Sequence, residues 1–199
     1  MKKLSDLMYL TKTLDDSFCD NIIKLFEQDT RKVEGITTKG KDNDLKKTTE
    51  LYISDFKSST NEKNWPKIDD ILYKNLNENI VKYTTKLSQM SSIPLWAHES
   101  TDSGYTIKRY EPGDYFNWHV DSQCKGGWVR TLAAIWYLND VKEGGETEFE
   151  NGIKVKPKKG QLLLFPATWT YPHRGCSPKN ENKYVITTFL LTNEEWVYH

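Results

Sequence analysis

Three side chains in this 199-residue sequence have the types and order needed to hold a metal ion: His119, Asp121 and His173. The stretch Tyr115–Asp121 alternates like a β-strand, and residues two apart on a strand share a face, so His119 and Asp121 are expected to point together. That pair is weak by itself. Three of the four histidines have a residue two places on and Asp fills 14 of 199 positions, so chance supplies His-x-Asp roughly one time in five. His173 adds a third donor 52 residues after Asp121, just past another predicted strand and flanked by Pro172 and Gly175.

Two imidazoles and one carboxylate on one face of an octahedron leave three adjacent positions open, the donor set of non-haem Fe(II) oxygenases. A closed structural zinc site takes a fourth protein ligand. Ten residues beyond His173, Lys183 opens the stretch Lys183–Phe189, in which Lys183, Val185, Thr187 and Phe189 share a strand face. A lysine facing a barrel interior needs an anion, and no acidic residue shares its strand face, so a ligand carboxylate is the expected partner.

From Tyr110 to Leu191 the chain resembles the Fe(II)/2-oxoglutarate-dependent dioxygenases of the prolyl 4-hydroxylase type. The resemblance is carried, in order, by Arg109-Tyr110-Glu111-Pro112-Gly113, His119-Val120-Asp121, and Arg130 seven residues before Tyr137-Leu138-Asn139-Asp140. Gly144-Gly145-Glu146-Thr147-Glu148-Phe149, Leu163-Leu164-Phe165-Pro166, and His173 with Lys183 complete it. It implies that His119, Asp121 and His173 bind Fe(II) and that Lys183 pairs with the far carboxylate of 2-oxoglutarate. It further implies that Tyr110, Tyr137 and Thr187 hydrogen-bond the same co-substrate, and that Arg130 lies near a bound peptide. The implied reaction is hydroxylation of a peptidyl residue, prolyl 4-hydroxylation first among them, with release of succinate and CO2 and with ascorbate keeping the iron reduced. The family often has Tyr three residues before the first histidine, whereas this chain has Phe116, with Tyr115 beside it.

The elements that would position these residues can be read from pattern. Asp15-Asp16-Ser17 offers helix caps ahead of Phe18, Ile22, Leu25 and Phe26, which predicts a helix over about 16–28. Pro66 suits a first turn, and Ile68, Leu72, Leu76, Ile80, Tyr83 and Leu87 predict a long amphipathic helix needing a sheet to cover. Between them, 31–64 reads as a polar loop entering a short strand at Glu50–Ile53, and it resembles the family's variable substrate-covering region only in position. From Gly104 onward, predicted strands are Tyr105–Glu111, Tyr115–Asp121, Val129–Leu138, Glu146–Glu150, Ile153–Lys156, Gln161–Phe165 and Lys183–Leu191. Asn151-Gly152 signals a two-residue hairpin with positive φ at both positions. The expected fold is mainly β with supporting α: a double-stranded β-helix (jelly roll) flanked by N-terminal helices. It forms a single domain over 1–199, with helical support and a variable loop region in 1–100 and the jelly-roll core in 101–199.

Composition narrows the function classes. Lys plus Arg and Asp plus Glu both number 28, giving zero formal net charge, and only four basic residues are Arg. A nucleic-acid partner is therefore not expected. Three widely spaced cysteines make neither a disulfide framework nor a zinc motif and suit a reducing cytoplasm, with Cys124 and Cys176 expected to be buried thiols. No stretch approaches membrane-spanning length, so a soluble, unexported protein is expected. Trp118, Trp128, Trp136 and Trp169 are each expected in the core. Lys39–Lys47 reads as a solvated run, and His98 and His199 carry no functional expectation. Two rival functions remain: the same chemistry on a free amino acid, other small molecule or nucleobase, and a metal-holding jelly roll without turnover.

Overall fold

The computed structural model describes residues 3–37, 40–58, 62–90 and 100–193. Its helices are α1 (Asp16–Gln28) and α2 (Asn64–Ser88), with 3₁₀ turns at Leu4–Leu7 and Ile53–Phe56. The strands are β1 (Tyr9–Lys12), β2 (Val33–Glu34), β3 (Lys46–Lys47), β4 (Thr49–Tyr52), β5 (Thr101–Asp102), β6 (Thr106–Tyr110) and β7 (Tyr115–His119). They continue with β8 (Cys124–Lys125), β9 (Trp128–Tyr137), β10 (Thr147–Phe149), β11 (Lys154–Val155), β12 (Gln161–Pro166), β13 (His173–Gly175) and β14 (Lys183–Asn193).

These strands form two antiparallel sheets. The larger runs β1-β12-β9-β14-β6-β4-β2, with β5 added to β14 and β8 to β9; the smaller runs β11-β10-β13-β7-β3. This is the expected jelly roll. Its apolar interior lies in two clusters. One, between the helices and the larger sheet, takes Ile22 and Phe26 of α1, Leu72, Leu76 and Tyr83 of α2, and Ile107, Trp136 and Ile186 of the sheet. The other lies between the sheets around Phe149, Phe165, Tyr171 and Val185. The 3.6-residue stripe of α2 is thus buried because every second residue of β9 and β14 faces it. Trp136 anchors the joint, donating its indole N–H to Asn75 of α2 at 3.0 Å.

Several expectations are corrected. The short strand expected at Glu50–Ile53 is β4, but the stretch before it is not a plain loop: β2 and β4 extend the larger sheet and β3 the smaller, so the described parts of 31–64 close one side of the barrel. β1, unforeseen, pairs with β12, Tyr9 facing Leu164. Asp15 occupies the N-cap of α1 but its side chain makes no capping hydrogen bond. The β10–β11 hairpin is not a two-residue turn, because Asn151 keeps negative φ and Gly152 alone has positive φ, +87°. Gly152 N–H donates to Phe149 C=O at 2.9 Å and Phe149 N–H to Ile153 C=O at 2.8 Å, so the loop is three residues long and ends in a glycine bulge. Of the four tryptophans only Trp136 is core; Trp118, Trp128 and Trp169 are exposed, Trp169 by 75%. Cys124 is exposed, Cys176 half-buried, and only Cys19 is buried. Lys46, inside the supposed solvated run, is buried at 5%. His98 and His199 lie outside the described residues.

Candidate metal centre and cavity

His119, Asp121 and His173 converge. Their nearest donor atoms lie within 4.8 Å of one another. The route differs from strand alternation, since β7 ends at His119 and Asp121 lies beyond it, brought round where the chain leaves the sheet. His173, expected on a loop, is the first residue of β13 and pairs directly with His119 across the sheet. A register irregularity follows, His173 facing His119 but Gly175 facing Phe116. That bulge puts Phe116 on the face of His119, and the two rings stack at 3.5 Å and 12°.

Hydrogen bonds fix both imidazoles. His119 Nδ1 donates to Asn117 C=O at 2.7 Å and His173 Nδ1 to Tyr171 C=O at 3.1 Å. A carbonyl only accepts, so each ring carries its proton on Nδ1 and turns the Nε2 lone pair inward. His119 Nε2 lies 3.6 Å from Asp121 Oδ1 and His173 Nε2 lies 3.5 Å from Oδ2. Ligands about 2.1 Å from an octahedral ion sit about 3 Å apart, so small inward shifts would seat one. Burial, reinforced by the neighbouring His173, lowers the pKa of His119 to about 4 and keeps it neutral, as ligation requires. Donor types, tautomers and spacing all fit a ferrous ion with open positions.

Behind the triad lies a cavity of about 440 Å³ between the two sheets. Lys183, the first residue of β14, is 2% exposed and has no ion pair within 4.0 Å among the described residues. Its ammonium lies 4.7 Å from the centre of the Tyr110 ring. Burial lowers its pKa to about 8, and Cys176 and Glu146 offset only part of that cost. His119, Asp121, His173 and Lys183 line this one cavity, so a dicarboxylate held at one end by a metal on the triad would have a cation available for its other end, as 2-oxoglutarate requires. Tyr110 and Thr187 line the same space. Tyr137 does not: it stands behind Thr147, their hydroxyls 2.7 Å apart, and Thr147 faces the cavity. Burial raises the pKa of both Tyr110 and Tyr137, so both stay protonated.

Arg130 lines the other end, 3.9 Å over the Phe189 ring, with one long contact to Asp121 C=O at 3.5 Å. Tyr115, neighbour of Phe116, gives its hydroxyl to Asn43 C=O at 2.8 Å, away from the cavity, and so does not replace the hydroxyl that Phe116 lacks. Sequence reasoning missed Lys46, Glu50 and Lys108, which also line it. The alternation Thr49-Glu50-Leu51-Tyr52 was the available signal, with Glu50 and Tyr52 on one face and Leu51 on the other.

Residues 105–191 match the model of the 2OG-Fe(II) oxygenase superfamily. A probable prolyl 4-hydroxylase 11 of Arabidopsis thaliana is 35% identical over 125 residues, covering 57% of this chain and 42% of the relative. A putative prolyl 4-hydroxylase of Acanthamoeba polyphaga mimivirus is 32% identical over 103 residues, covering 46% of this chain and 40% of the relative. The chain spans about half the length of the curated relatives it matches. Among solved structures, the 2OG complex of a viral collagen prolyl hydroxylase from Paramecium bursaria chlorella virus-1 superposes with a TM-score of 0.66 at 19% identity, covering 94% of this chain and 96% of that one. A prolyl hydroxylase from Trichoplax adhaerens, in complex with a hypoxia-inducible factor peptide fragment, gives 0.69 at 17% identity, covering 96% and 85%. These likenesses establish the shared fold.

Proposed function

We propose that this chain, whose residues 105–191 belong to the 2OG-Fe(II) oxygenase superfamily, is a 2-oxoglutarate-dependent hydroxylase of the prolyl 4-hydroxylase type that acts on a peptidyl proline. The observation that carries this reading is the coupling of an open three-donor site to a buried ammonium without a counter-ion, in one cavity. A module that merely held a metal would have no use for that ammonium, whose burial is costly.

When bound, ferrous iron and 2-oxoglutarate would supply the oxidation with O2 as oxidant, one oxygen atom replacing C–H by C–OH and the other ending in succinate as CO2 is released. His119, Asp121 and His173 would hold the metal by three adjacent positions, their Nδ1 protons locked on backbone carbonyls so that neither ring can turn away. Lys183 would orient the co-substrate through its far carboxylate, with Tyr110 and Thr187 beside it. Phe116 seals one side of His119 against water. Arg130, at the cavity's open flank, is placed to meet a peptide. Ascorbate would serve as the reductant for iron oxidised without a substrate. Three free thiols suit a reducing compartment, and we place the protein in the cytoplasm.

The test combines turnover with binding. His119→Ala should abolish succinate release and the rise in melting temperature that Mn(II) gives the unmodified chain. Undiminished succinate release in that variant would overturn the ligand assignment. Incubation with proline-rich peptides should add one oxygen atom to the peptide; succinate release coupled to a free amino acid, with peptides unmodified, would replace the acceptor.

A further inference from the structure

The part of the cavity wall supplied by β4 and β6 carries charge that neither the metal nor 2-oxoglutarate accounts for. Glu50 pairs with Lys108 across β4 and β6, and Lys108 pairs with Val185 across β6 and β14, so all three share the inner face of the larger sheet. Lys108 therefore stands one alternation, about 7 Å, along from Lys183 in the direction of Arg130. Glu50 is 1% exposed. Its Oε1 receives Lys46 Nζ at 2.6 Å and the Thr48 hydroxyl at 3.0 Å, and its Oε2 receives the Tyr52 hydroxyl at 3.1 Å. Lys108 Nζ reaches Oε1 only at 4.0 Å. Lys46 also donates to Ile36 C=O at 2.9 Å and lies 5.1 Å from the centre of the Phe116 ring that stacks on His119.

One carboxylate thus faces two ammonium groups, and the nearer takes its charge. Burial raises the pKa of Glu50, but Lys108 and Lys46 outweigh it and the net shift is downward, so the carboxylate stays ionised. The rest of the loaded site is neutral: a divalent ion against Asp121 leaves one positive charge, a 2-oxoglutarate dianion against Lys183 leaves one negative, and these cancel. One positive charge remains on the Lys46–Glu50–Lys108 group, with Lys46 and Glu50 buried and the Lys108 side chain 12% exposed to the cavity they line. Arg130 adds a further cation without an ion pair among the described residues.

We propose that the acceptor brings a carboxylate close to the carbon that is hydroxylated, as an acidic residue adjoining the target in a peptide, and that Lys108 is the residue that selects it. This rests on the hydroxylase reading above and names its substrate class. Lys108 can move its ammonium from the shared, long contact with Glu50 to an incoming carboxylate, while Lys46 keeps Glu50 paired. An amide in the same place would leave that ammonium half-compensated and desolvated.

The experiment is a titration of the full chain, loaded with Mn(II) and 2-oxoglutarate, with two peptides differing only in Asp or Asn beside one proline, run beside an incubation of both peptides with the Fe(II)-loaded chain, 2-oxoglutarate and O2 that reads oxygen addition by mass. The Asp peptide should bind about tenfold more tightly at low ionic strength, and the advantage should shrink in high salt. Lys108→Met should bring the two affinities within about twofold, Lys108→Arg should keep them apart, and neither should alter 2-oxoglutarate affinity by more than about twofold. Equal affinities for the unmodified chain, or binding of neither peptide, would overturn the proposal without recourse to any variant. So would a Lys108→Met chain that keeps the preference, or one that loses 2-oxoglutarate in its place. Discriminating binding with no oxygen added to either peptide would remove the peptidyl hydroxylase reading, and with it the placement beside a hydroxylated carbon, while leaving Lys108 as the residue that selects a carboxylate. Oxygen added to both with equal affinity would do the reverse.

Discussion

Lys183→Met should make the protein without its co-substrate more stable, not less. The lysine is 2% exposed and has no ion pair among the described residues, and burial draws its pKa from 10.5 down to about 8. Each pKa unit corresponds to 1.36 kcal/mol, so keeping the ammonium charged in the folded chain costs about 3 kcal/mol. The sign follows from proton counts. Below pH 8 both folded and unfolded chains hold the proton and the folded state bears the whole cost. Between pH 8 and 10.5 the folded chain has released the proton and the unfolded chain has not, so stability rises with pH and the cost fades. Methionine keeps the apolar stem and removes the charge, so at pH 7 the variant should gain about 3 kcal/mol, or ~6–12 °C in melting temperature. Thermal or urea unfolding at pH 7 and pH 10, with and without Mn(II) and 2-oxoglutarate, reads this directly. At a hundredfold excess over Kd the ligand should return about 2.7 kcal/mol to the unmodified chain, and the variant should gain nothing from the dicarboxylate. A variant less stable than the unmodified chain at pH 7, or a difference unchanged at pH 10, would refute the reasoning.

Glu50→Gln should have the opposite effect, costing about 3–5 kcal/mol in urea unfolding at pH 7, because it leaves Lys46 and Lys108 enclosed without their carboxylate. Since the Glu50 pKa is lowered on folding, its contribution is complete above pH 4.5 and is lost as pH falls through the lowered value, so the two chains should converge in acid. Gly144→Ala should melt well below Gly152→Ala. Both have positive φ, +72° and +87°, but a Cβ at 144 would stand 2.3 Å from Ser177 C=O whereas at 152 it meets open space. We expect about 1 kcal/mol at 152 and at least twice that at 144; equal melting temperatures would mean that the Gly144–Pro178 bridge yields freely.

Phe116 shows how a departure from a family pattern becomes interpretable once the register is known. Sequence alone left a missing hydroxyl with Tyr115 beside it, but the bulge between β7 and β13 sends Phe116 onto the His119 ring and Tyr115 to Asn43 on the outside. The exposed tryptophans carry a related lesson. Aromatic character assigned Trp118, Trp128 and Trp169 to the core on the same ground as Trp136, yet a strand has two faces, Trp169 stands in a turn beyond β12, and only packing decides what is covered. Trp118 ends beneath the Arg174 guanidinium, 4.9 Å from its ring centre, on the face turned away from the cavity.

Local pattern determined most of the scaffold. The stripe of α1 and α2, the strand-like runs of β6, β7, β9, β12 and β14, and the order of His119, Asp121, His173 and Lys183 are short-range properties, set by helical period, by β-forming residues between turns and by donor chemistry. Tertiary structure decided the rest, because it depends on which strands become neighbours. Only the pairing of β4 with β6 brings Glu50 to Lys108, 58 positions apart, and only β3 on the smaller sheet carries Lys46 into the interior. A charge written into a polar, lysine-rich stretch looks solvated until cross-strand contacts between distant segments enclose it, and no periodicity records those contacts in advance.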